Sequence, residues 1–451
     1  MSKDIRISKG LDLKLVGASA PEVEGTPVSQ TVAVVPENFH GIAPRLRARD
    51  GDYLEIGSPV FVSKLNEHIS FPSPVSGTVR EVRRGDKRVI LEVIIESDGQ
   101  NKNAEFGGID YVNASREEVI EKLLQGGCWP FIKQRPYDVI ANPDETPKHI
   151  FISGFYSAPL APDVDILVQG REEFLQIAVT ALSKLTSGQV HLTLDGKKPS
   201  QAFSGLQDVV YHNAFGPHPI GNVSTQIRQV SPLNKGERIW TVKPEDLVII
   251  GELIAKGVYN PARIVALSGG ALKNPRYVHT QIGQPISSIL DGTEMVTDNV
   301  RIIQGSAISG VRTEMEEFLG YYTSQLTVLE EGDDYDLFGW NRPQPNKFSV
   351  LNAMMFSFLT PNKKYNLNTN TNGEQRAFVL TGIYEKYFPF DIYPMQLLKS
   401  CLYEDLDEME NLGIYEVVPE DFALTEFVCV SKIPHQNILR EGLDYMIREI
   451  G

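Results

Sequence analysis

The chain has 451 residues, 41% of them apolar and 22% charged, which suits several globular cores and excludes wholesale disorder. At about 100–200 residues per domain, three or four domains are expected. The formal net charge of −15 argues against nucleic-acid binding, which needs a basic face, and against a polybasic grip on anionic lipid.

Residues 1–100 read as all-β. Short β-branched runs at 32–35, 60–62, 78–82 and 89–95 are punctuated by Gly51, Gly57, Gly77 and Gly85. Ser115 followed by Glu118 predicts a capping box, with Val119, Leu123 and Leu124 at helical spacing. From 126 to 255 strands alternate with helices: strands at 149–153 and 189–194, helices at 171–185 and 243–256, the last with Pro244 at its first turn. Such alternation predicts α/β with a partly parallel sheet. Residues 261–312 are glycine-rich, with strands at 263–268 and 300–304 and a helical turn at 286–290, and suggest a β-grasp-like unit. Residues 313–338 read as a strand-rich linker ending in Glu330, Glu331, Asp333 and Asp334. A polar, asparagine-rich loop follows at 366–372, and helices are expected over 374–411 and 435–450. Residues 401–451 carry 3 Lys/Arg and 12 Asp/Glu, a solvated face or a docking face for a basic partner.

No run reaches the roughly 18 apolar residues of a membrane helix, and the N-terminus has no signal-peptide core. The chain is therefore expected in the cytosol or peripheral on a membrane partner. Cys128, Cys401 and Cys429 are isolated thiols, suited to neither a disulfide framework nor a metal site. The eight histidines look scattered, without ligand spacing, so no metal is expected. No nucleophile elbow, P-loop or dinucleotide fingerprint is present.

Two loops stand out. The segment Gly126-Gly127-Cys128-Trp129-Pro130-Phe131-Ile132-Lys133-Gln134-Arg135 mixes aromatics with fixed cations. Trp129 and Phe131 would wall a planar ring, and Lys133 and Arg135 would meet its carbonyl oxygens, as a quinone or flavin requires; a hydrophobic loop packed on its own domain is the plainer alternative. The second loop, Gly216-Pro217-His218-Pro219, is stiff and supplies no nucleophile with an orienting base, so it reads as recognition or interface.

Several segments carry family resemblances. Asp50-Gly51-Asp52 through Val60, with Ser73-Pro74-Val75-Ser76-Gly77-Thr78-Val79, resembles the paired hairpins of biotinyl and lipoyl carriers, where Lys64 would be the only lysine near the modified turn. Together with Ile7-Ser8-Lys9-Gly10-Leu11-Asp12-Leu13, the Phe215–Asn222 loop and Ser268-Gly269-Gly270, the chain resembles the NqrA family, the A subunits of Na⁺-translocating NADH:quinone oxidoreductases. The family is related to the C subunit of the Rnf complex and to the NADH-binding flavoprotein subunit of complex I. The resemblance implies a barrel-sandwich hybrid (biotinyl/lipoyl-like) over 1–100 and a Rossmann-like α/β domain over 101–258 resembling a degenerate FMN/NADH-binding domain. An SLBB-type β-grasp domain over 259–330 and a largely helical domain over 331–451 complete it, the last resembling an iron–sulfur domain without its cysteines.

It further implies a peripheral subunit on the cytoplasmic face of the bacterial inner membrane. Five other subunits, B to F, would carry FMN, FAD, riboflavin and iron–sulfur centres, with no cofactor on this chain. The implied role is the late, semiquinone-to-quinol part of quinone reduction, coupled to Na⁺ export, in a translocase whose isolated NqrA chain does not turn over. A purely structural subunit without its own ligand is the alternative. A soluble NADH:FMN oxidoreductase is disfavoured by the missing glycine loop and cysteines.

Overall fold

In the computed structural model, the residues described are 2–27, 29–332, 347, 348, 350, 362–379 and 382–451. Asp333 and Asp334 of the predicted acidic run lie outside them.

The N-terminal unit is a barrel-sandwich hybrid of two small antiparallel sheets. One orders Thr31–Val34, Ile90–Ser97, Gly77–Arg84 and Tyr53–Leu54; the other orders Pro44–Leu46, Pro59–Ser63 and Ser70–Pro72. Alternation sends Val32, Val79, Val93 and Ile95 inward, where Phe61 stacks on Phe71 with centroids 4.6 Å apart. Lys64 is exposed on the loop joining two strands of the second sheet.

The α/β unit holds a seven-stranded sheet. Its order is Lys3–Arg6, Val209–Phe215, Val190–Asp195, His149–Ser153, Ile239–Thr241, Lys133–Arg135 and Val139–Ile140. The first five strands run parallel and the last two pairings are antiparallel. Helix Arg116–Gln125 begins with the predicted capping box, Ser115 Oγ accepting from the Glu118 amide and Glu118 accepting from the Ser115 amide. Helix Asp246–Lys256 is buried almost all round, as its apolar Leu-Val-Ile-Ile run requires. It starts after Pro244 rather than at Lys243. Residues 243–245 form a turn instead, the Asp246 amide donating to the Lys243 carbonyl at 3.1 Å.

A six-stranded β-grasp sheet follows, ordered Val311–Thr313, Val300–Gln304, Gln325–Glu330, Ala262–Ser268, Arg276–Gln281 and Val23–Gly25. Residues 325–330, predicted as part of a linker, are thus a central strand, buried at Leu326 and Val328. The C-terminal unit packs helices Pro394–Leu402, Leu406–Asn411, Ala423–Phe427 and His435–Ile450 around Leu397, Leu398, Leu439 and Leu443. Residues 374–379, predicted to open a helix, are not helical. In the segment 386–395, where the resemblance to the Rnf subunit places the lost cluster cysteines, Phe388 and Phe390 are buried, with Phe422 4.8 Å from Phe388 between centroids.

The N-terminal segment, from Lys3 to Gly25, laces these units together. Lys3–Arg6 joins the α/β sheet, Gly10 and Leu11 donate to the Lys386 and His218 carbonyls, and Val23–Gly25 joins the β-grasp sheet. Gly10 sits at φ +141°, and a Cβ there would stand 2.2 Å from the His218 carbonyl oxygen, so only glycine admits this approach.

Candidate functional site

The parallel sheet reverses strand order between His149–Ser153 and Ile239–Thr241, the position where open α/β sheets receive ligands at the strands' carboxyl ends. Three units meet near it. Lys243, just past the end of one of these strands, donates from Nζ to the Tyr322 carbonyl at 2.8 Å. Tyr322, from the β-grasp unit, donates its hydroxyl to the Pro130 carbonyl at 2.6 Å. Its ring lies 4.5 Å under Lys133 Nζ, a cation–π contact. Tyr156, past the other strand, donates to Glu245 at 2.6 Å.

Lys133 and Arg135 are two apart on one strand and so share a face. Both reach Asp138: Arg135 in a direct ion pair and Lys133 at 3.7 Å. Arg135 also stands 3.8 Å from Glu420 of the C-terminal unit. Glu420 is set deep in the protein, yet 45% of its side-chain surface stays accessible; Lys133 keeps 28% and Asp138 27%. Partial access to charged groups from these units marks a polar cleft at their junction. Next to Glu420, Asp421 is buried, its carboxylate accepting from the Val418 amide at 3.0 Å.

The electrostatics follow from this packing. Burial lowers the Lys133 pKa, with the positive charges of Lys243 and Arg135 adding to it against Asp138. Asp138 is pulled down to about 2: burial opposes, but Arg135 and then Lys133 outweigh it. Burial raises Glu420, and Asp421 is pushed up to about 7 by burial and then by Glu420. Lys133 and Glu420 are therefore shifted in opposite directions at one junction, with Asp138 kept ionised between the two cations.

Of the residues singled out from sequence, Lys133 and Arg135 come together at the cleft. Trp129 and Phe131 lie beneath it without accessible surface. Trp129 Nε1 donates to the Ala141 carbonyl at 2.7 Å, and Phe131 stacks on Tyr321 with centroids 4.6 Å apart. The Gly216–Pro219 loop lies elsewhere on the same strand ends, clamped between units. His218 Nδ1 contacts Ser157 Oγ at 3.0 Å and the His218 amide donates to Asp12 at 2.8 Å. Asp138, Lys243, Tyr322, Glu420 and Asp421 escaped the sequence reading. The Pro-flanked charged pairs Pro244-Glu245-Asp246 and Pro419-Glu420-Asp421, set between apolar runs, were the available signal.

The histidines are less scattered than expected. His149, His191 and His212 lie on adjacent strands, with His191 Nδ1 2.9 Å from His212 Nε2 and the His149 ring 4.7 Å from His191. Among the described residues no group of three or more His, Cys, Asp or Glu is arranged to hold a metal, and no helix is long and apolar enough to cross a membrane.

The place of a flavin-cradling loop does not fit a phosphate. A Cβ at Gly126 would meet the Leu253 side chain at 2.3 Å and one at Gly127 the Pro72 ring at 2.8 Å. These glycines serve close packing against a helix and the barrel, and their amides already donate to the Lys122 and Leu124 carbonyls at 3.0 and 3.3 Å rather than pointing at an open anion site.

A barrel-sandwich hybrid, a Rossmann-like unit, a β-grasp unit and a helical C-terminal unit together define a multidomain protein of mixed β and α/β architecture. Residues 5–98, 114–259 and 264–315 match family models described as the NqrA N-terminal barrel-sandwich hybrid domain, the NqrA second alpha/beta domain and the NQRA C-terminal domain. The chain is 33% identical over 451 residues to a protein of Rhodopirellula baltica named as the A subunit of a Na(+)-translocating NADH-quinone reductase, covering 98% of each chain. It is 35% identical over 449 residues to the protein of the same name from Hahella chejuensis, covering 99% of this chain and 100% of that one. The chain belongs to the NqrA family, the A subunits of the Na⁺-translocating NADH-quinone reductases. Among solved structures, an NAD⁺-reducing [NiFe]-hydrogenase in the H2-reduced state aligns over 75% of this chain and 62% of that one, at 9% identity and a TM-score of 0.38.

Proposed function

We propose that this chain serves as the peripheral NqrA component of a six-subunit, Na⁺-exporting NADH:quinone reductase on the cytoplasmic face of the inner membrane. In it, the cleft between Lys133, Lys243, Tyr322 and Glu420 receives the quinone. The observation that supports this is the three-unit junction itself, where Lys133 lies over the Tyr322 ring, Lys243 holds the Tyr322 carbonyl, and Glu420 stays accessible to solvent. Reduction of a quinone to quinol takes two electrons and two protons. The electrons come from NADH through the flavins and iron–sulfur centres of the other subunits, B to F. Charge developing on the quinone oxygen in the late step is stabilised by Lys133. Its lowered pKa makes it the readier proton donor, with the Glu420 carboxyl, shifted up by burial, beside it. Trp129 and Phe131 form the floor that fixes the strand bearing Lys133 and Arg135, rather than the wall that touches the ring.

Lys133→Met in the assembled complex is expected to lower quinone-dependent kcat by about 100–1000-fold, the scale of losing one charge-stabilising donor. NADH oxidation with an artificial acceptor upstream of quinone should be unchanged. Equal kcat and KM for quinone in variant and wild type would remove the cleft from the reaction.

A scaffold role without a ligand has one observation in its favour. The C-terminal unit is stitched to the α/β unit by Arg228–Glu416 at 2.9 Å, Lys235–Glu410 at 2.7 Å and Arg135–Glu420. These pairs are what a subunit built only to hold shape would also need.

A further inference from the structure

The overall charge speaks against an anionic surface as partner, and one hairpin is where that average fails. The turn joining Gly77–Arg84 to Ile90–Ser97 lies in a segment, residues 80–92, with five Lys/Arg and three Asp/Glu, in a chain of net charge −15. Two of those three carboxylates are occupied by one cation: Arg83 stands 2.6 Å from Glu92 and 3.9 Å from Glu81. Arg84 turns its guanidinium onto the Arg88 carbonyl at 3.2 Å, with no carboxylate within ion-pair distance among the described residues. Arg80, Lys87 and Arg88 are exposed, and none has an ion-pair partner among the described residues.

The tip is ordered as well as basic. The Gly85 amide donates to the Val89 carbonyl at 2.9 Å, the Arg88 amide to Gly85 and the Val89 amide to Asp86, closing a compact turn. Lys87 and Arg88 take φ of 51° and 63° within it. Val89, closing the turn, and Leu91, in the strand that follows, stand 57% and 43% exposed beside these cations. Apolar groups flanked by unpaired cations match the boundary of a bilayer, where phosphates meet acyl chains.

We propose that this hairpin docks the chain on an anionic phospholipid surface. Arg84, Lys87 and Arg88 would face the headgroup phosphates, and Val89 and Leu91 would enter the interfacial layer. The inference is independent of the quinone cleft, which lies in other units.

The test is co-sedimentation of the purified full chain with two kinds of vesicle, phosphatidylcholine alone and phosphatidylcholine mixed with a minor share of phosphatidylglycerol. Binding is expected only to the anionic vesicles, weakening steeply between low and physiological salt. Lys87→Glu with Arg88→Glu should lower it at least tenfold, and Val89→Ser with Leu91→Ser several-fold. All four side chains are exposed, so thermal midpoints should match wild type and separate lost docking from lost folding. Equal binding to both vesicle types, or unchanged binding in both double variants, would overturn the proposal. So would absence of vesicle binding by a chain whose variants still fail to join the complex, which would assign the hairpin to a protein partner instead.

Discussion

Arg135→Met should destabilise the chain by about 2–3 kcal/mol, below the full cost of stranding a buried charge because Asp138 and Glu420 keep partial access to water. Arg135 is only 6% exposed and serves both Asp138 and Glu420, so one substitution strands two acids at a junction between units. Arg135→Met with Asp138→Asn should recover part of the loss, because the neutral amide leaves no stranded charge there and tolerates the left-handed backbone of position 138 at φ 56°. The effect should be flat from pH 5 to 8. Asp138 has a depressed folded pKa of about 2, so its stabilisation is complete above the ordinary value near 3.8 and is lost only as pH falls through 2. Urea midpoints of wild type and both variants at pH 5 and pH 8 check both statements. A single variant as stable as wild type would show the pair to be decorative.

Asp421→Asn should have a pH-dependent effect of the opposite sign. The carboxyl is raised to about 7 in the fold, above its unfolded value near 3.8, so the folded state holds a proton that the unfolded chain releases. Stability from this site is full below about pH 4 and declines as pH rises through 7, by up to about 4 kcal/mol at 1.36 kcal/mol per unit. Asparagine cannot ionise and can still accept from the Val418 amide. At pH 5 the variant should match wild type or fall slightly below it, and at pH 8 it should be the more stable by about 2–4 kcal/mol. Thermal midpoints measured at both values decide it. A uniform loss at both would mean that Asp421 is ionised in the fold.

Features governed by local sequence were legible before the fold was known. The Ser115 capping box, the alternating strands of the barrel and the apolar helix at 246–256 each depend on residues within one or two turns, and the architecture follows from them and the family motifs. What was hidden depends on distant partners. Lys3–Arg6 offers a single buried apolar residue, Ile5, among charged neighbours, and is a strand only because Val209–Phe215 presents an open edge. The central strand at 325–330 looked like linker because the strands that flank it, Ala262–Ser268 and Val300–Gln304, lie well upstream in the chain. At the site, Lys133 and Arg135 announced themselves as cations, whereas Glu420 gains its role from a contact between opposite ends of the fold's chain order. Trp129 and Phe131 show the limit of composition: an aromatic beside a cation looks alike whether it walls a ligand or floors a strand, and only their lack of accessible surface separates the two.

The most direct measurement is mapping of a photoreactive quinone analogue on the assembled complex, with labelled peptides identified by mass spectrometry and competed by excess quinone. Competable label should fall on the Lys133–Arg135 strand, on Tyr322 or on Glu420, and should drop in Lys133→Met. Label confined to other subunits, or to a surface of this chain away from those residues, would contradict a quinone site in the cleft and leave the scaffold role standing.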